Sequence, residues 1–245
     1  MFFVVIVSSY MAQKVAVILS GCGHLDGSDA AEVSPICVAL SRAGMTPVFY
    51  APYVTMTMGV NHVNGVTCDT DRNVLIESAR LVRDPVQNFA GKRPSRDLSA
   101  EDEDIIALIM PGGSGVLNNL SNFATSMESP AVQEDVVRVI SEFKSANKPI
   151  GCTSYANVLI SLVIPEIEIT LGGDDEEDYP NTPLLIDNLT ARGTTITSTE
   201  FGDICVDSEN KIASIASFLY VPAKYDVVAD SISRLVDEVL DLANQ

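Results

Sequence analysis

Short apolar runs that end abruptly in turns of small residues are the feature that most constrains this fold. The runs at residues 14–19 and 105–110 are apolar and contain β-branched residues, and a third run leads into the small residues of segment 148–157. Uninterrupted apolar runs of this length are typical of parallel strands buried on both faces. Segments with helical apolar spacing lie between them. This alternation predicts an α/β fold with a doubly wound, mostly parallel sheet flanked by helices, of the flavodoxin-like type.

Weaker patterns predict the remaining strands, helices and loops. Residues 54–65 lack a helical period and predict a small hairpin or an irregular excursion. The polar segment 84–104, with Pro85, Gly91 and Pro94, predicts a surface loop or a short turn of helix. The other predicted strands are residues 46–51, 167–171, 184–189, 195–198, 204–206 and 211–215; the predicted helices are 29–43, 72–83, 130–143, 157–163 and 227–242.

Length and composition favour a single large domain. The chain has 245 residues, is 47% hydrophobic, and contains no linker-like stretch that would divide it. We expect an N-terminal extension at residues 1–13 followed by one domain over residues 14–245. The extension carries an apolar run but no basic segment before it, which does not match a secretory signal. Met11 is an alternative start.

The net charge of −18 argues against several classes of partner. Such a field repels phosphate backbones and anionic lipid surfaces, so we expect no nucleic acid and no membrane as partner. The five cysteines form no C-x-x-C pair, which favours a reducing compartment and a cytoplasmic protein. An organellar location reached through the N-terminal extension stays open. With only His24 and His62 available, the sequence indicates no zinc site, and we expect no metal and no cofactor.

Ser154 is the strongest candidate for a site residue. It stands where a predicted strand breaks into a helix, with the small residues Cys152 and Ala156 two positions to either side. This is a relaxed form of the G-x-S-x-G nucleophile elbow, in which close approach of strand and helix tolerates only small neighbours. The pattern predicts a hydroxyl held at the carboxyl end of a parallel strand, the edge at which α/β sheets bind ligands.

Two further features converge on the same sheet edge. Adjacent glycines at residues 111–115 leave backbone N–H groups free to point at a ligand oxygen, although a simple tight turn explains them equally. Glu32 falls in the first turn of a predicted helix, where it either faces the sheet edge or only complements the helix dipole.

The acidic run 174–178 is either a cation site or a solvated loop, and self-repulsion favours the loop.

The motifs and their spacing resemble the ThiJ/PfpI superfamily of class I glutamine-amidotransferase-like folds, and most closely its ElbB branch, the enhancing-lycopene-biosynthesis proteins. The resemblance covers most of the chain from Lys14 onward. It is carried by Ser20-Gly-Cys-Gly23 with Asp26-Gly27-Ser28, Asn61-His62, residues 72–80, Pro111-Gly-Gly-Ser-Gly115, residues 119–124, residues 147–151, and Val206-Asp207 with Asn210-Lys-Ile212.

The resemblance implies a set of roles. In the superfamily the elbow carries a cysteine nucleophile, a glutamate of the first helix hydrogen-bonds to it, and two backbone N–H groups form an oxyanion hole. Carried over, Ser154 holds the nucleophile position, Glu32 is the glutamate, and Gly113 and Tyr155 supply the N–H groups. The resemblance also implies a homodimer, a small carbonyl metabolite as partner, and a link to isoprenoid biosynthesis.

The chain departs from the superfamily pattern at the reacting group. Serine replaces cysteine, Asn157 stands where proline is usual, and no histidine follows the nucleophile. Cys152 does not restore the motif, because it would put the bulky Ile150 where a small residue is needed. Cys22 either brings another thiol to the cleft or is a small structural residue.

Two hypotheses follow. In the first, the protein is a cofactor-free hydrolase or glyoxalase-like lyase in which Ser154 attacks a carbonyl and Glu32 is the base. Serine needs a general base within hydrogen-bond reach, whereas a cysteine at an elbow needs only a moderate fall in pKa. In the second, the protein is a non-catalytic member that binds a small metabolite or a partner protein.

Overall fold

The computed structural model describes residues 13–91 and 98–245. The predicted extension at residues 1–13, with Met11 as alternative start, therefore lies outside the described residues except for Gln13. Pro94 of the predicted polar loop also lies outside them.

In chain order the strands are β1 (Lys14–Ile18), β2 (Thr46–Ala51), β3 (Gly59–Asn61), β4 (Val66–Cys68), β5 (Val86–Asn88), β6 (Ile105–Met110), β7 (Ile150–Thr153), β8 (Glu168–Gly172), β9 (Thr195–Ser198), β10 (Cys205–Asp207) and β11 (Ile212–Ile215). Strands β1, β2, β6 and β7 lie close to the apolar runs that predict them. Strands β3 and β4 form a hairpin, one of the two alternatives predicted for residues 54–65, and it extends beyond that range to Cys68.

The central sheet has seven strands in the order β10-β11-β7-β6-β1-β2-β5. All neighbours in this sheet are parallel except β10, which pairs antiparallel with β11. This mostly parallel sheet confirms the predicted fold class. Strands β7, β6 and β1 lie side by side, so the turns that follow them meet at one edge of the sheet.

Helices cover both faces of the sheet. They are α1 (Ala30–Arg42), α2 (Val74–Ser78), α3 (Gly115–Asn119), α4 (Glu134–Ser145), α5 (Tyr155–Val163), α6 (Thr182–Thr190) and α7 (Tyr225–Ala243), with a short 3-10 helix at Ser217–Leu219. No helix among the described residues combines the length and the apolar character that crossing a membrane requires.

Strand β1 shows why its sequence is apolar without alternation. Val15 and Val17 pack into the apolar layer that contains residues of α1 and α7. Ala16 and Ile18 pack into the layer on the opposite face, with residues of α3, α4 and α5. Successive side chains point to opposite faces of a strand, so burial of both faces requires an apolar residue at every position.

Three predictions about single elements are wrong. The predicted strand 184–189 is part of helix α6, in which Thr182, Leu185 and Leu189 are buried at helical spacing. Strands β8 and β9 form a separate two-stranded sheet and do not complete the central one. The predicted polar loop contains β5, an edge strand that pairs with β2. A short apolar run does not by itself distinguish a strand from a buried helix, which explains the first error.

Candidate functional site

Ser154 lies between the last residue of β7 and the first residue of α5, as the elbow pattern predicts. Its backbone has φ 45° and ψ −120°, outside the regions that L residues normally occupy. The Ser154 N–H donates a 3.0 Å hydrogen bond to the carbonyl of Ile215 in β11, and the residue is only 3% exposed. Backbone strain of this kind persists only where the surrounding structure imposes it, and it concentrates at functional sites.

Glycines allow the turn after β6 to close onto the elbow. A Cβ atom at Gly112 would overlap with the Ser154 Oγ. Gly113 has φ 101°, and a Cβ there would meet the carbonyl of Gly27 in the turn after β1. The Asn119 side-chain amide ties α3 to that same turn through the carbonyls of Ser20 and Asp26, at 2.9 and 2.8 Å. The turns after β1 and β6 are thus packed closely against each other and against the elbow.

The predicted oxyanion donors border one pocket with the serine. Ser154, Gly113 and Tyr155 all line a cavity of about 200 Å³. Within residues 13–91 and 98–245, the N–H groups of Gly113 and Tyr155 donate no hydrogen bond to another group of the protein. Two such N–H groups beside a small cavity are suited to binding the oxygen of a carbonyl compound.

Glu32 is fully buried beside this pocket, but it does not hydrogen-bond to Ser154. Its Oε1 accepts a 2.6 Å hydrogen bond from the Ser217 hydroxyl. Its Oε2 accepts hydrogen bonds from the Thr153 hydroxyl at 2.5 Å and from the Gly112 N–H at 2.6 Å. The hydrogen bond between Ser154 and Glu32 that the resemblance implies is absent among the described residues, and the groups that donate to this carboxyl are Ser217, Thr153 and Gly112.

Burial sets the protonation behaviour of Glu32. Removal from water raises the pKa of this carboxyl above its ordinary value, and hydrogen bonds from Ser217 and Thr153 partly oppose the increase. Glu32 still lies close to the serine. A Cβ atom built on Gly112 would lie 3.0 Å from the Glu32 Oε2 and would overlap with the Ser154 Oγ, so both oxygens are near the same point. The carboxyl is a neighbour of the elbow without being bonded to its hydroxyl.

Ser217 is a site residue that sequence reasoning missed. It begins the 3-10 helix after β11, has φ 50°, and is 3% exposed. Strand β11 lies next to β7 in the sheet. The available signal was therefore a hydroxyl at the carboxyl end of a parallel strand adjacent to the elbow strand.

His24 is the second residue that was missed. It lines the same cavity as Ser154, although it precedes the serine in the sequence and belongs to the turn after β1. The His24 ring contacts the His62 ring edge to face, with a centroid distance of 5.1 Å. The His62 Nε2 lies 3.6 Å from the Asp26 Oδ1, a buried oxygen without a hydrogen-bond partner in the described structure.

The thiols and the candidate metal ligands are placed elsewhere. Cys152 is fully buried, and burial raises the pKa of its thiol, which keeps it protonated and unreactive. Burial also raises the pKa of Cys22, which does not border the Ser154 cavity. Among the described residues, no group of three or more His, Cys, Asp or Glu side chains could hold a metal ion, and this includes the acidic run 174–178.

Three curated proteins similar to this chain come from vertebrates. An ES1 protein homolog, mitochondrial, of Rattus norvegicus is 36% identical over 95% of this chain and 85% of its own length. The mitochondrial glutamine amidotransferase-like class 1 domain-containing protein 3 of Homo sapiens is also 36% identical, over 96% of this chain and 85% of its own length. The mitochondrial ES1 protein of Danio rerio is 31% identical over 93% of this chain and 85% of its own length. No protein-family model matches the chain.

Solved structures share the fold. An isoprenoid biosynthesis protein with an amidotransferase-like domain from Ehrlichia chaffeensis has a TM-score of 0.79 and 24% identity, over 93% of this chain and 99% of that one. A ThiJ/PfpI domain protein from Brachyspira murdochii has a TM-score of 0.51 and 11% identity, over 92% of this chain and 97% of that one. At these identities the likeness establishes the amidotransferase-like α/β fold alone.

Proposed function

The chain belongs to the family of ES1 and glutamine amidotransferase-like class 1 domain proteins, and from this premise we propose that it binds a small uncharged carbonyl compound at the Ser154 elbow, with little or no turnover. The observation that carries the proposal is the pairing of two uncommitted N–H donors, on Gly113 and Tyr155, with a serine that has no base bonded to it. The ligand oxygen accepts hydrogen bonds from both N–H groups.

The charges around the cavity disfavour an anionic ligand. Asp29 lines the cavity together with Ser154. The whole chain carries −18, so the surrounding field also repels anions. A ketone, an aldehyde or an amide presents a carbonyl oxygen to the N–H donors without bringing a second negative charge into the site.

Weak turnover follows from the chemistry of serine. A serine hydroxyl becomes a useful nucleophile only when a general base accepts its proton. Both oxygens of Glu32 already accept hydrogen bonds from Thr153, Ser217 and Gly112. No described side chain accepts a hydrogen bond from the Ser154 hydroxyl, so the proposed site offers donors to a carbonyl oxygen without a base bonded to its hydroxyl.

Amide NMR with acetone as an unreactive carbonyl probe tests the binding proposal. We expect saturable chemical-shift changes at the amides of Gly113 and Tyr155 and none at Gly44, a glycine with open space around it. Turnover of glyoxal and methylglyoxal by the wild-type protein should stay near background. Unchanged Gly113 and Tyr155 amides at saturating acetone would remove the basis of the proposal.

The alternative is a serine-dependent hydrolase or glyoxalase-like lyase, and one observation favours it. His24 lines the Ser154 cavity and could accept the hydroxyl proton in place of Glu32. In that case the wild-type protein would turn over methylglyoxal, and both Ser154→Ala and His24→Gln would abolish the activity. Activity lost with Cys22→Ala and retained in Ser154→Ala would instead assign the nucleophile to the turn after β1.

Finer assignments within the family are also proposals. We propose membership of the ElbB branch and a role connected with isoprenoid biosynthesis, supported by the motifs shared from Ser20 to Ile212. For location we propose the cytoplasm or an organelle, and the mitochondrial names of the vertebrate relatives support the second. Imaging of a fluorescent fusion of the full chain distinguishes the two compartments.

A further inference from the structure

We propose that the carbonyl ligand carries an apolar substituent, which binds in a second cavity adjoining the elbow; this inference rests on the proposed function. The second cavity has a volume of about 330 Å³. Ser114, Tyr155 and Asn181 line both cavities. A ligand whose carbonyl oxygen lies at the Tyr155 N–H would reach the second cavity by extending past these three shared residues.

The second cavity is apolar on its inner wall. Leu117, Phe123 and Leu185 are buried residues of this wall, and Met127 is half-buried beside them. The described residues that line the cavity include no charged side chain. The elbow cavity differs in this respect, because His24 and Asp29 border it.

Tyr155 connects the two parts of the cleft. Its N–H is one of the two uncommitted donors, and its side chain packs against the apolar layer that contains Phe123 and Leu185. Burial raises the pKa of the Tyr155 phenol, so the ring stays neutral under ordinary conditions. A ligand oriented by the backbone of Tyr155 therefore meets apolar surface on leaving the elbow.

The size of the cleft supports a ligand larger than a two-carbon or three-carbon carbonyl. Ligand cavities commonly span roughly 300–1,000 Å³, and the elbow cavity of about 200 Å³ is below that range on its own. The adjoining cavity brings the cleft into the range. The substrate or ligand class is therefore a neutral ketone, aldehyde or amide with an aliphatic substituent.

A homologous series of methyl ketones, from acetone to 2-nonanone, measures the contribution of the substituent. Burial of one methylene corresponds to about a fourfold gain in affinity. We expect the dissociation constant, followed by amide NMR titration, to fall by roughly this factor per methylene until the second cavity is full. The Gly113 and Tyr155 amides should respond to every member of the series.

Two variants assign the gain to the second cavity. Ala124 is exposed and lines it, so Ala124→Trp should fill the space without disturbing the core, abolishing the chain-length dependence while leaving acetone binding unchanged. Leu184 also lines it and is 61% exposed, so Leu184→Ser should weaken the dependence. The matched control is Ala191→Trp, at an exposed position outside both cavities.

The outcomes separate this inference from the proposed function. If acetone shifts the elbow amides but affinity does not rise along the series, the inference is overturned and the proposed function stands. If the chain-length dependence persists in Ala124→Trp and Leu184→Ser, the substituent binds elsewhere and the inference is again overturned. If no ketone shifts the Gly113 and Tyr155 amides, the proposed function fails and the inference fails with it.

Discussion

The carboxyl of Glu32 accepts a hydrogen bond from the hydroxyl of Thr153, the residue immediately before the elbow, at 2.5 Å. The same carboxyl accepts the Ser217 hydroxyl from the end of the neighbouring strand. Glu32 thus joins the start of α1 to the ends of β7 and β11 beneath the serine. This arrangement supports a structural role for Glu32, whose carboxyl has no hydrogen bond to the Ser154 hydroxyl.

Ser154→Cys should introduce measurable methylglyoxal turnover, at least tenfold above the wild-type rate. The proposed oxyanion donors and the elbow are retained, and a thiol at a helix N-terminus ionises far more readily than a hydroxyl. An assay of lactate formation measures the change. Ser41→Cys, at an exposed position of α1, controls for the added thiol. Robust wild-type turnover that Ser154→Ala abolishes would contradict the expectation.

Ser154→Gly should stabilise the protein by about 1 kcal/mol. A non-glycine residue in this backbone region costs roughly 1–3 kcal/mol, and glycine removes that strain at the cost of a more flexible unfolded chain. Urea denaturation followed by circular dichroism measures the difference. Ser154→Ala keeps the Cβ and should show no such gain. Equal stability of the glycine and alanine variants would mean that the elbow is not strained.

Gly112→Ala should destabilise the protein by about 2 kcal/mol, because its Cβ would overlap with the Ser154 Oγ and approach the Thr153 carbonyl to 2.7 Å. Gly173→Ala, whose Cβ would lie 3.2 Å from the nearest atom, should cost less than about 1 kcal/mol. The double variant Gly112→Ala/Ser154→Gly should recover part of the loss. Urea denaturation of the wild type, Gly112→Ala, Gly173→Ala and the double variant measures these differences. A double variant no more stable than Gly112→Ala would contradict the proposed overlap.

Glu32→Gln should destabilise the protein most at low pH. Because burial raises the pKa of Glu32 above its ordinary value of 4.5, the folded protein keeps this proton where the unfolded chain has lost it. The stabilisation that Glu32 contributes is therefore fully present below about pH 4.5, the pKa of the unfolded chain. It decreases as the pH rises through the pKa of the folded protein.

Urea denaturation between about pH 4 and pH 8 measures this dependence. The stability difference between the wild type and Glu32→Gln should shrink as pH rises. Glu209→Gln, at an exposed position, should leave the pH profile of stability unchanged. A difference that grows with pH would show that the hydrogen bonds to Glu32 outweigh its burial.

We expect a homodimer that uses the edge of the central sheet at β5. Tyr53 and Ile76 expose large apolar side chains, and the Tyr53 N–H donates to the side chain of Asn88 in this edge strand. Light scattering at micromolar concentration should give twice the monomer mass. Ile76→Asp should shift the protein toward monomer, whereas Val221→Asp, at another exposed apolar position, should not. A wild-type monomer across this concentration range would contradict the expectation.

The sequence by itself determined the central strands β1 and β6 and the position of the elbow. Strands β1 and β6 are buried on both faces, so each required a continuous apolar run that no surface strand would carry. The break at Ser154 was readable because only small residues fit where a strand turns sharply into a helix. These requirements concern residues that are neighbours in the chain, so they can be read from short stretches of the sequence.

Tertiary structure decided which elements and side chains meet. Residues 184–189 are apolar enough for either a strand or a helix, and packing of Leu185 and Leu189 against the core selected the helix. The partners of Glu32 depended on which hydroxyl the packed strand ends brought within reach, and the donors are Thr153 and Ser217 rather than Ser154. Such contacts join residues far apart in the chain, and their geometry exists only once the sheet has assembled.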